Sequence, residues 1–113
     1  MAKTSLETTT EALRMIGVTA VDESPVAADH ARAKQHLEAV FAEIDDRIGI
    51  AAEWTIETIP DRLWPFMAAA VGGSICTAYG KPELSGLRQY GISGVCADEF
   101  GNEVRRPTEA QFF

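Results

Sequence analysis

Cysteine is scarce. Cys76 and Cys96 are the two in this chain of 113 residues, and their separation makes no Cys-x-x-Cys pair. Cys76, inside an apolar run, reads as a small buried hydrophobe and Cys96 as an incidental thiol. Histidine is as rare: His30 and His36 stand six apart on one expected helix, so they point to different faces and share no metal. His30 falls on the Ala33 and Leu37 side and reads as a boundary histidine with a hydrogen-bond partner. Asp45 and Asp46 are adjacent and diverge around the helix, which does not suit a paired acid and base. No glycine-rich loop joins a strand to a helix, and no serine or cysteine sits in a nucleophile motif. The reading is therefore not an enzyme, with no cofactor and no metal.

Basic residues are also outnumbered. Lysine and arginine total 10 against 17 acidic residues, a net charge of −7. The imbalance is even, with 5 basic and 9 acidic residues in 1–50 and 5 and 8 in 51–113. No basic stripe is present to neutralise phosphates, so binding of free nucleic acid is not expected. The polar, acidic start after Lys3 has no apolar signal region, which places the expectation in a cytoplasm.

What is present is one segment without charge. Between Arg62 and Lys81 no residue is formally charged, and nearly every position is apolar or small. A helix apolar on all sides must be surrounded by protein or lipid. From Leu63 to Tyr79 it would span about 25 Å, short of the roughly 30 Å hydrocarbon core, and Gly72, Gly73, Ser74 and Thr77 dilute it. No membrane span is expected. A core helix that also packs against another subunit is.

The expected fold is mainly α, a small bundle of three to four helices with an extended C-terminal arm. Thr4 with Glu7, or Thr8 with Glu11, has capping-box spacing for a first helix, with Leu6, Leu13 and Ile16 as its apolar edge and Gly17 as a left-handed stop. Val18 to Val21 should run extended, and Asp22-Glu23-Ser24 should form a turn with Pro25 at the first position of a second helix, about 25–48. Leu37, Val40, Phe41, Ile44 and Ile48 fall on one face of it, Ala33 extends that face, and Gly49 ends it. Asp29, Arg32, Glu38, Glu43, Asp46 and Arg47 form its outer face. Residues 50–59 read as a linker or one short strand.

A third helix should start near Asp61, with Pro65 in its first turn. Gly72-Gly73 costs about 1 kcal/mol per glycine relative to alanine, which a close neighbouring backbone would offset. Gly80 and Pro82 end it, and a short fourth helix, about 82–90, follows with Leu84 and Leu87. Gly91, Gly94 and Gly101 then read as breaks, giving a domain over 1–91 and an extended arm over 92–113. That arm carries Val95, Phe100, Val104, Phe112 and Phe113. It either folds back on its own core or docks on another chain with the aromatics as anchors. Trp54, Trp64 and Phe66 are likewise core or interface anchors.

Two stretches carry a resemblance. Ala12-Leu13-Arg14-Met15-Ile16-Gly17-Val18, an acidic turn and Pro25 opening a long helix resemble the start of the head-to-tail adaptor, or tail accessory factor, of short-tailed phages. Ile59-Pro60-Asp61, Trp64, a small-residue helix and Tyr79-Gly80-Lys81-Pro82 resemble that family's second hallmark. The likeness spans about residues 8–84. It implies a virion protein at the neck or portal vertex, assembled in the host cytoplasm, that forms a ring of identical subunits, commonly about twelve, beneath the portal protein. Such a ring extends the DNA channel, with DNA only as passing cargo, and offers a platform to a tail or neck protein. The docking arm would then be Phe100, Val104, Arg105, Arg106, Phe112 and Phe113, and the subunit-packing helix would use Trp64, Phe66, Gly72, Gly73 and Ile75. The chain is shorter than that family's better-known members, which bears on any additional tail-docking role. The alternative is a small cytoplasmic helical interaction module or regulator.

Overall fold

The computed structural model describes residues 2–19, 25–49 and 54–105, with the backbone alone for 99–105. Four helices, α1 (Ser5–Met15), α2 (Ala27–Ile48), α3 (Trp64–Ile75) and α4 (Gly86–Arg105), form the body. Two-residue strands β1 (Ala2–Lys3) and β2 (Ile59–Pro60) pair antiparallel, Ala2 opposite Pro60 and Lys3 opposite Ile59. A mainly α bundle is what the sequence implied, and β2, at Ile59–Pro60, begins at the last residue of the stretch 50–59 that read as a linker or one short strand. The expected extended run at Val18–Val21 and the turn at Asp22-Glu23-Ser24 fall largely outside the described residues.

Helix α1 starts where its chemistry requires. The Thr4 hydroxyl accepts from the Glu7 amide at 3.2 Å, and the Glu7 carboxylate accepts from the Thr4 amide at 3.0 Å. Both halves of a capping box are thus present. It ends in a Schellman motif: Gly17, at φ 79°, donates to the Arg14 carbonyl and Val18 donates to that of Leu13. Leu13 and Ile16 are buried as expected, whereas Leu6 is 53% exposed and not part of the core edge. Its place is taken by Thr8 and Thr9, which bury their hydroxyls by bonding back to carbonyls of their own helix.

Helix α2 buries Ala33, Leu37, Val40 and Ile44 and ends at left-handed Gly49. It begins at Ala27, two residues later than expected, because Val26 is extended and leaves Pro25 outside the helix. Asp29 supplies the negative charge that favours the first turn. Helix α3 also starts late, at Trp64, after a turn in which Leu63 donates to the Pro60 carbonyl. Pro65 then falls in the first turn, where its missing N–H breaks no helical bond.

Helix α3 occupies the centre and touches the other three, most extensively α4. Met67 through Gly73, Ile75 and Cys76 are all buried. The chain itself therefore surrounds most of its uncharged segment, with Pro65, Thr77, Ala78 and Gly80 left exposed. A 3-10 turn, Cys76–Tyr79, continues α3 and closes on left-handed Gly80, and a second, Pro82–Leu84, leads into α4. No described helix is long and apolar enough to cross a membrane.

The arm is the principal correction. Residues 92–105, expected to be extended, continue α4 without interruption, so the boundary drawn after Gly91 falls inside a helix. Gly91 and Gly94 do not break it; they are where it touches α3. A Cβ on Gly91 would overlap the Phe66 carbonyl and sit 2.5 Å from the Ala70 amide, and one on Gly94 would overlap the Phe66 ring. Contact with α3 offsets the helical penalty of glycine. Ile92 and Val95 are fully buried beside them.

Candidate functional site

The small-residue face of α3 is the first candidate, and the chain's own helices use it. A Cβ on Gly72 would lie 3.3 Å from both the Ala12 carbonyl oxygen and Ile16 Cγ2, so Gly72 admits α1. A Cβ on Gly73 would overlap the Arg88 backbone, so Gly73 admits α4. Ile75 is 1% exposed. Gly72 and Gly73 thus turn to α1 and α4 of the same chain, and Ile75 is buried within its core. Trp64 and Phe66 differ, both half-buried at the start of α3. The Lys3 ammonium sits 4.8 Å from the Trp64 ring centre, and Phe66 packs on Tyr90 with ring centres 5.6 Å apart. Tyr90 is 61% exposed. Phe66 and Tyr90 form an aromatic edge open to solvent, in which Phe66 was expected as an anchor and Tyr90 was not.

Of the docking-arm residues, Phe100, Val104 and Arg105 lie in the last turns of α4. Arg106, Phe112 and Phe113 lie outside the described residues, as do residues 50–53 of the expected linker. Val95, expected in the arm, belongs to the core. Trp54 is core as well, meeting Phe41 edge-on at 5.4 Å.

The outer face of α2 is less open than its composition suggested. Glu43 receives Arg47 at 3.0 Å and also pairs with Arg88 of α4. Asp29 accepts from the Tyr79 hydroxyl at 2.7 Å, with the Arg32 guanidinium over the Tyr79 ring at 5.5 Å. Partial burial, and then the bond to Asp29, raise the Tyr79 phenol above its usual range. Arg62 donates to Asp98 at 2.8 Å and ties the start of α3 to α4.

A polar seam runs between α1, α2 and residues 54–58. Ser5 donates to Glu57 twice, from its amide at 3.0 Å and its hydroxyl at 2.7 Å. Those bonds, the hydroxyl first, hold the Glu57 carboxyl below its ordinary range. Thr9 Oγ1 and His30 Nδ1 share a hydrogen bond at 2.7 Å, so His30 is the partnered boundary histidine its position implied. Cys76 is buried and donates to the Gly73 carbonyl, and Cys96 is a half-buried free thiol. Among the described residues no three His, Cys, Asp or Glu side chains gather within reach of one metal ion.

The seam ties α1 to α2 and to residues 54–58, and the aromatic edge ties α3 to α4. Among the described residues the seam brings together hydroxyls, the His30 imidazole, the Glu57 carboxylate and, 3.9 Å from that carboxylate, the Lys34 ammonium. No protein-family model, curated protein or solved structure matches this chain.

Proposed function

We propose that the chain is a non-enzymatic virion protein, a head-to-tail adaptor that forms a ring beneath a portal protein. It extends the DNA channel and presents a platform to a tail or neck protein. One observation supports this reading above the others: the two resembling segments lie against each other. Gly72, in the second, abuts Ala12 and Ile16 of the first, and Gly17 of the first faces the Lys81 ammonium, 3.6 Å from where a Cβ would stand. The two segments therefore belong to one structural unit, as a shared adaptor domain would require. The net charge of −7 per chain, repeated around a ring, repels passing DNA where it faces the lumen.

On this reading α4 supplies the base of the docking arm. Phe100, Val104 and Arg105 lie on the helix, and Arg106, Phe112 and Phe113 follow it. The aromatic edge of Phe66 and Tyr90 serves contacts with neighbouring subunits.

Co-sedimentation with the portal ring of the same virus tests the reading. Full-length chain is compared with a chain ending at Arg105, which keeps Val95 and every other described core residue. The full chain is expected to sediment with the ring and the shortened chain to bind at least tenfold more weakly, the loss expected of a docking anchor. If neither binds, the alternative of a small interaction module takes the lead.

A further inference from the structure

We propose that residues 2–9 form a latch on the connector 54–64 that acid releases, with the Glu57 carboxylate as its trigger. The latch is polar almost throughout. Its buried side chains are Ser5, Thr8 and Thr9, while its one large hydrophobe, Leu6, is 53% exposed. It has four holds on its surroundings: the pairing of β1 with β2, Lys3 over the Trp64 ring, the two bonds from Ser5 to Glu57, and the Thr9–His30 bond. The Ser5 bonds are the only one of these in which a carboxylate accepts. Bonds to ionised groups are roughly twice as strong as neutral ones.

Each element packed against Glu57 contributes to its charge. From α1 the Ser5 hydroxyl and amide donate to it. From α2, Lys34 stands 3.9 Å away, and the His30 charge acts in the same direction. On its own connector Thr55 and Thr58 hold the backbone turn. Elsewhere in the latch, the Glu7 carboxylate accepts from Thr4 and pairs with Lys3 at 3.9 Å, with Asp61 opposing. Both carboxyl groups sit below their ordinary value of 4.5 when folded. A lowered folded value stabilises the closed state above the ordinary value, and that contribution is lost as pH falls through the folded value. Neutral pH keeps the latch closed. Acid turns Glu57 and Glu7 into neutral, weaker acceptors.

Amide hydrogen exchange of the full chain, corrected for intrinsic rates and followed from pH 7 down to about 3, tests the latch. Protection across residues 2–9 is expected to fall about three- to tenfold below the ordinary carboxylate range while α3 stays protected. Glu57→Gln should show that lowered protection already at pH 7. Ser5→Ala, which keeps the amide bond and loses the hydroxyl bond, should fall between Glu57→Gln and the unaltered chain. Unaltered protection at pH 7 in both variants overturns the proposal. So does loss of protection in residues 2–9 and α3 together, as one global transition.

Discussion

Helix α3 is held on its two sides by different physics. Toward α1 and α2 it meets side chains: Leu13, Ile16, Leu37, Val40 and Ile44 fill the space between the helices. Toward α4 its closest approaches are to backbone, with Gly73 against Arg88 and Gly91 against Phe66 and Ala70, although Ile92 and Val95 are buried there too and Gly94 faces the Phe66 ring. On the other side the comparable approach, Gly72 to the Ala12 carbonyl, is looser. The first kind of contact tolerates small losses of volume, because neighbours relax into part of the gap. The second admits no added atom at Gly73 or Gly91, because the nearest atoms there are main chain and cannot swing aside. One residue type has opposite meanings in the two regions. Gly17, Gly49 and Gly80 take positive φ and end helices, whereas Gly73, Gly91 and Gly94 lie within helices at points of close approach.

The largest effect should come from violating the backbone contact. Gly91→Ala is expected to destabilise the chain by about 3 kcal/mol, the upper end for overpacking, read as a shift in the urea midpoint at constant slope. A change below roughly 0.5 kcal/mol would mean that α4 does not sit so close to α3. On the side-chain face, Ile44→Val removes one buried methylene and should cost about 1 kcal/mol in the same titration. Thr4→Ala removes the capping hydroxyl, again about 1 kcal/mol or slightly less, with the loss concentrated in the exchange protection of the first turn of α1. The smallest effect has the opposite sign. Gly86, at the start of α4, has nothing within 4 Å of a Cβ and no positive φ. Gly86→Ala should therefore stabilise by about 0.5 kcal/mol, separating a glycine that packs from one that merely occupies a helix.

These contrasts explain which parts of the fold were legible in the sequence. The Thr4 box, the stops at Gly17, Gly49 and Gly80, and the buried stripe of α2 follow from local chemistry and helical period, and the structure has them. The course of α4 was not legible by that route. Its buried positions, Arg88 backbone, Gly91, Ile92 and Val95, do keep helical spacing, but a glycine leaves a gap in an apolar pattern where a side chain would mark the face. The late start of α2 depends on the extended conformation of Val26, which no residue preference dictates. Tyr90 as the partner of Phe66 was hidden for another reason. Phe66 and Tyr90 are 24 positions apart in the sequence and meet only because α4 returns along α3. The Ser5–Glu57 bonds likewise join residues 52 positions apart, and neither motif nor period announces them.

The central functional claim is that this chain is a structural part of a virion. Quantitative mass spectrometry of purified particles of a virus whose genome carries this sequence tests the claim most directly. The account predicts the chain in every preparation, at a fixed ratio to the portal protein close to one copy per portal subunit. Its presence in infected-cell cytosol and absence from particles would contradict it.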